Sequence, residues 1–186
     1  VTSNMLVRYK FTADPDVIGT DTRLGHKIYQ NISILDGIPV FVSPAARNTH
    51  FSPAILPDRL AAKSAKLKPD LIHLHWIAGG FMRIESIPRL RYPIVWTLHD
   101  MWSFTGGCHY SGECESYTIK CGNCPKIIDP AKKDISFTQH KRKKKIYKHA
   151  PLSIVTCSKW LGSLAKESSL LRKHPVSSIP NPIDTE

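Results

Sequence analysis

An α/β fold is what this sequence predicts: a mostly parallel sheet with helices on both faces. Three observations carry that reading. Short apolar runs alternate with runs of helical period along the chain, the pattern of strands joined by crossover helices. One apolar run, Ile94 to Leu98, leads straight into His99 and Asp100, and polar groups at the C-terminal ends of strands line the ligand crevice of open α/β sheets. A length of 186 residues with 41% apolar content suits one cored domain with at most a small appendage.

Met5 to Tyr9 reads as a short strand. Leu24, Ile28, Ile32 and Leu35 fall near helical spacing and predict a helix over residues 21 to 35. Gly37 ends it, and Pro39 marks residues 38 to 42 as an edge strand, because proline donates nothing to a ladder. Ser52-Pro53 starts a helix running to about Leu67, with proline in its first turn. Lys68-Pro69-Asp70 is a turn into a strand over residues 71 to 76, where apolar residues alternate with His73 and His75. Gly79-Gly80 opens a loop, a short helix occupies residues 81 to 90, and Tyr92-Pro93 closes it before the strand 94 to 98.

Residues 100 to 135 form an irregular connection of unusual length, and such loops are functional or internally pinned. A basic helix follows over residues 137 to 149, then a strand over 152 to 156. Ser158 N-caps a helix over residues 159 to 168. A strand covers residues 176 to 179, and Pro180-Asn181-Pro182-Ile183-Asp184 is a turn or hinge.

No run of about 18 apolar residues is present, so no spanning helix is implied. Val1-Thr2-Ser3-Asn4 lacks the charged-then-apolar pattern of an export signal, and a cytoplasmic location is the simplest expectation. The net charge of +11 favours anionic partners. Much of it sits in Lys141, Arg142, Lys143, Lys144, Lys145 and Lys148, which form either a solvated helix face or an attraction to an anionic membrane surface or phosphate-bearing acceptor. Cys108, Cys114, Cys121 and Cys124 cluster, while Cys157 is remote and reads as packed. Four thiolates suit tetrahedral zinc, with Cys121-Gly-Asn-Cys124 as one chelate arm; two disulfides and free thiols are the alternatives. A zinc ion there would be structural, leaving His109 as a spare ligand or a cleft residue.

An ordered set of motifs spans nearly the whole chain: Asp70-Leu-Ile-His73-Leu-His75-Trp76, Thr97-Leu-His99-Asp100-Met-Trp102, Thr105-Gly-Gly-Cys-His109, Cys121-Gly-Asn-Cys-Pro125, Ser158-Lys-Trp160-Leu and Ile179-Pro-Asn181-Pro-Ile-Asp184. Together they resemble the N-terminal half of group 1, family 4 glycosyltransferases of GT-B type, in particular those that build bacterial exopolysaccharide and other cell-surface glycans. The resemblance implies a Rossmann-like half (residues 1 to 180), with residues 181 to 186 starting an interdomain linker where Asn181 and Asp184 would fix the hinge. It implies an acceptor-side domain of a retaining hexosyltransferase. The donor would be a UDP- or GDP-sugar held mainly by a second domain, and the acceptor a glycan or lipid-linked glycan; no catalytic metal is expected. The family's first strand, its glycine-rich loop and the second domain are not recognised here, and Pro182 stands where glycine is usual. These residues alone are therefore expected to be inactive.

His99 is the leading catalytic candidate: the resemblance has it bond the transferred sugar and support an oxocarbenium-like transition state. The alternative is a histidine satisfying loop carbonyls. Asp100 either accepts from an acceptor hydroxyl or only orients His99. His75 and Trp76 would border the cleft, Trp76 stacking on a sugar, and Trp102 would reach the same mouth. His73 and His75 share a strand face, so a metal pair is conceivable, but packing is the blander reading. Gly79 lets backbone approach a ligand or simply makes a turn. Ser158 is either a helix cap alone or a cap that also places a helix N-terminus near substrate phosphates.

The principal rival is a zinc-stabilised basic nucleic-acid-binding module. Against it, the cysteines lie inside an α/β pattern, and the basic run lacks interleaved aromatics apart from Tyr147; no nucleic-acid partner is expected. A dinucleotide oxidoreductase would need a Gly-x-Gly-x-x-Gly that the chain does not contain. A membrane adaptor using the basic helix is the non-enzymatic alternative.

Overall fold

A computed structural model describes residues 2–41, 51–127 and 131–182. The elements, in chain order, are β1 (Met5–Tyr9), β2 (Val17–Thr20), α1 (Arg23–Phe41), α2 (Leu60–Leu67), β3 (Ile72–Leu74), β4 (Ile94–Leu98), α3 (Ile135–Tyr147), β5 (Leu152–Thr156), α4 (Lys159–Glu167) and β6 (Val176–Ser178). Short 3-10 turns cover Ile84–Arg89, Trp102–Phe104 and Ser116–Thr118. The main sheet has order β3-β4-β5-β6 and every pairing is parallel. This is the α/β, Rossmann-like architecture expected, with the long cysteine-bearing connection between β4 and α3.

Parallel strands covered by crossovers are buried, and β4 and β5 obey that rule. Ile94, Trp96, Leu98, Leu152 and Ile154 are each at most 3% exposed. They form one core with Ile84, Ile87, Met101, Phe104, Leu161 and Leu171. Trp96 meets Trp102 and Tyr147 edge-on, with centroids 6.3 and 5.9 Å apart, and its indole N–H donates to the His75 carbonyl at 2.9 Å. The core is thereby bonded to the backbone at the sheet edge.

Several expectations need correction. A strand, β2, runs parallel to β1 where none was read, and this pair is a separate two-stranded sheet. The helix from Arg23 continues through Gly37 and Pro39 to Phe41, so residues 38–41 are not an edge strand. A strand needs a partner to accept its ladder, and β1 is bonded only to β2 among the described residues; Val42 lies outside those residues. The helix expected from Ser52 begins only at Leu60. The intervening donors are already taken: the buried Asp36 carboxylate accepts from the N–H groups of Ala54, Ile55 and Leu56 at 3.1, 2.8 and 3.3 Å. Asp58 then accepts from Leu60 N–H at 2.9 Å and, on its other oxygen, from Arg83 N–H and the Ser86 hydroxyl. The strand read over 71 to 76 is shorter, Ile72–Leu74. The hinge positions Ile183 and Asp184 lie outside the described residues.

Helix α3 is not the uniformly solvated basic face that its sequence suggests. Asp134 caps it, accepting from Phe137 N–H at 3.0 Å. Ser136, Gln139, His140, Lys143 and Tyr147 are buried, a polar stripe at helical spacing. Arg142 donates from Nε and Nη2 to the two Glu85 oxygens at 2.8 and 2.7 Å. Lys141, Lys144, Lys145 and Lys148 remain exposed. Among the described residues, no helix is long and apolar enough to cross a membrane.

His140 sits against the Ser169 hydroxyl at 2.9 Å. Burial, with help from Lys143, Lys144 and Lys120, pushes its pKa down to about 4. An unfolded histidine takes up its proton near pH 6.5, which the folded one refuses. Stability should therefore be full above about pH 6.5 and fall as the pH drops towards 4. Replacing His140 by Gln should flatten that acid limb by about 2 kcal/mol, read as urea midpoints across the range.

Candidate active site

Strands β3 and β4 run parallel in the register Ile72 with Ile94, His73 with Val95 and Leu74 with Trp96. Their C-terminal ends therefore emerge side by side, and the next polar residues on each meet. His75 Nδ1 lies 3.1 Å from His99 Nε2, and the two rings stack at 5.5 Å with 23° between planes. One proton serves that contact, so one ring donates and the other accepts. Both side chains are exposed. His73 packs on His75 at 4.3 Å and bonds the Thr97 hydroxyl at 2.7 Å. Burial first, then the neighbouring His73 and His99, hold the His75 pKa below its ordinary value.

Asp100 ends the same strand but serves a different partner. Its Oδ1 accepts from Trp102 N–H at 2.8 Å, and its Oδ2 lies 2.7 Å from His109 Nδ1. The opposite nitrogen of His109 meets the Ser52 hydroxyl at 2.9 Å. Asp100 thus orients His109, and the reading in which it orients His99 is corrected. Trp102 also departs from expectation. Its indole is only 2% exposed, donates to the Ser52 carbonyl at 2.7 Å, and lies under the Lys143 ammonium at 4.0 Å from ring centre. An indole held on both its N–H and its face supports the site from below and does not reach its mouth.

Trp76 is half exposed beside His109, with ring centroids 6.0 Å apart. Gly79 has φ +66, and a Cβ there would come within 3.0 Å of the Trp76 ring. Its carbonyl accepts from Arg8 and from the Ser33 hydroxyl, so its backbone is committed to the N-terminal segment. The Thr105-Gly-Gly-Cys motif is a close-approach device: a Cβ at Gly106 would sit 2.5 Å from the Ser136 carbonyl, and one at Gly107 2.4 Å from Phe51. Ser158 caps α4 as read, its hydroxyl accepting from Leu161 N–H at 3.2 Å. The β4–β5 ladder carries on past Thr156, since Cys157 N–H donates to the Leu98 carbonyl at 3.4 Å. That places the N-terminus of α4 at the same sheet edge as His99.

Cys108, Cys114, Cys121 and Cys124 are free thiols lining one cavity, and Cys157 is not part of it. Burial pushes Cys121 up to about 12 and Cys124 up to about 11. The sequence reading missed Ser52 as a site residue and Asp36 as the latch beneath it. It also missed the stacked, half-exposed pair of Tyr110 and Trp160, 6.5 Å apart. No local pattern marks Ser52, because its partner His109 is 57 positions away.

Replacing His99 with Ala removes one of the like-charged neighbours that hold His75 down. The His75 titration should then move up towards the ordinary histidine range, which ring C–H chemical shifts against pH would read directly.

Known proteins resemble this chain over part or most of its length. A stretch of 68 residues is 31% identical to the putative colanic acid biosynthesis glycosyl transferase WcaC of Escherichia coli strain K12. That match covers 32% of this chain and only 17% of the relative's length. No solved structure matches the chain. The family description Glycosyltransferase Family 4 matches residues 12–186, and on that span the chain belongs to glycosyltransferase family 4.

Proposed function

We propose that this chain is the acceptor-side half of a retaining glycosyltransferase that moves a sugar from a UDP- or GDP-sugar to a surface glycan or its lipid-linked precursor. The observation that carries the reading is the His75–His99 pair, exposed at the C-terminal edge of a parallel sheet in a family 4 chain. His99 bonds the transferred sugar, and His75 fixes which of its nitrogens faces outward. Because that geometry is set before substrate arrives, little reorganisation is needed as charge develops. Asp100 is a positioning residue: both of its oxygens already serve Trp102 and His109, so it is not assigned the role of base. Trp76 offers an apolar face for a sugar ring next to His109. The N-terminus of α4 brings partial positive charge to the same edge, where the leaving diphosphate gathers negative charge.

The donor's nucleotide is held mainly by a second domain that completes the cleft. The relative is named for colanic acid biosynthesis, which supports assigning this chain to surface-glycan assembly. Lys141, Lys144, Lys145 and Lys148 would draw the protein to the anionic inner face of the membrane, where such acceptors are built. Arg142 and Lys143 are committed inside the fold and take no part in that attraction.

The test uses the full-length protein with a panel of nucleotide sugars and membrane extract. Diphosphate nucleotide should be released in step with sugar transfer for one donor. His99→Ala should lower kcat by about 100-fold or more, as removal of one preorganised donor does elsewhere, with the circular dichroism spectrum unchanged. No turnover with any donor, together with salt-sensitive binding of oligonucleotides, would overturn the reading.

A further inference from the structure

We propose that Cys108, Cys114, Cys121 and Cys124 bind one structural zinc ion, and that this ion pins the loop carrying His109. The spacing of the four cysteines left zinc, disulfides and free thiols open. Three features of the fold favour zinc. First, Cys108, Cys114 and the Cys121–Cys124 turn, from three parts of the loop, all line a single cavity, with Thr105, Tyr117 and Ser136 among its other walls. None is joined to another.

Second, the Cys121–Cys124 arm has the backbone of a chelating turn. Gly122 has φ +142 and Asn123 φ +52, two successive residues in the left-handed half of conformational space. The arm is itself anchored, since Cys124 N–H donates to Asp134 Oδ2 at 2.8 Å, on the residue that caps α3.

Third, the charge balance fits. Zinc binding releases four S–H protons and leaves a four-thiolate site of net charge −2. The fully buried Lys143 donates to the carbonyls of Trp102 and Thr105, and Thr105 lines the same cavity as the four cysteines. A dianionic site beside it supplies the counter-charge that a buried ammonium needs. Among the described residues no three cysteine, histidine, aspartate or glutamate side chains form a ready coordination set. The metal must therefore draw the sulfurs in from the cavity wall, which ties ligation to the folding of the loop.

The consequence reaches the active site. Cys108 precedes His109 in the chain and bridges to Phe51, and Ser52 next to Phe51 is the hydroxyl that His109 faces. Closing the four sulfurs on one ion fixes that corner from beneath.

The test reads metal directly, so its outcome is independent of whether a sugar donor is found. Full-length protein purified without chelator is assayed for zinc by mass spectrometry of the digested sample. Zinc per chain should drop by one in the double variant Cys121→Ser/Cys124→Ser and stay unchanged in Cys157→Ser. Cobalt exchanged into the unmodified protein should give the thiolate-to-metal and visible bands of a tetrahedral four-sulfur site, a readout that needs no variant to fold. Lys143→Met should weaken zinc retention against a competing chelator by about 10-fold, the usual effect of losing a group behind the ligands. Two disulfides in the intact mass, or four thiols alkylated in the native protein with no zinc released, would each overturn the proposal.

Discussion

The buried ammonium of Lys143 is the contact on which the active-site loop rests. Only 1% of this residue is exposed, and it donates to two carbonyls, those of Trp102 and Thr105, while covering the Trp102 ring. Tyr147, one turn further along α3, donates to the Ser103 carbonyl at 2.9 Å. Three carbonyls that a non-repetitive loop would otherwise leave unpaired in the interior are thus satisfied by one helix. Burial pushes the Lys143 pKa down to about 7. From this anchor the chain rises through Asp100 and His109 to the sheet edge.

Parallel pairing supplies the second constraint. Because β3 and β4 leave the sheet at the same end, two histidines 24 positions apart in sequence become hydrogen-bonded neighbours. The core beneath them is not indifferent to this arrangement. Trp96 packs on Trp102 and Tyr147 and also bonds the carbonyl of His75, so the same side chain organises the hydrophobic interior and the site backbone. Imidazole orientation at the edge is therefore coupled to packing several ångströms below it, which is how preorganisation is kept in a site built on strand ends.

How much of this was legible beforehand depended on the range of the forces involved. β4 and β5 were read within their observed bounds, since a short apolar run between turn signals reports burial directly. The Ser158 cap was read as well, because capping acts over three residues. The helix expected from Ser52 failed for the opposite reason. Proline in a first turn is a local signal, but Asp36, far away in the sequence, captures the donors of Ala54 to Leu56. Likewise, the run from Lys141 to Lys148 reads as uniform charge, while the helical phase that turns Lys143 inward depends on what lies opposite it.

By itself the sequence determined the α/β class, the bounds of β4 and β5, the Ser158 cap and the family's motifs; these rest on hydrophobic period, turn chemistry and local capping. Only the tertiary structure decided the partners. It gave His109 rather than His99 to Asp100, put Trp102 beneath the site, brought Ser52 to His109, and gathered four cysteines around one cavity. Hydrogen bonds and close packing act over a few ångströms, and chain separation says nothing of which groups will come that near until the sheet and its crossovers are in place.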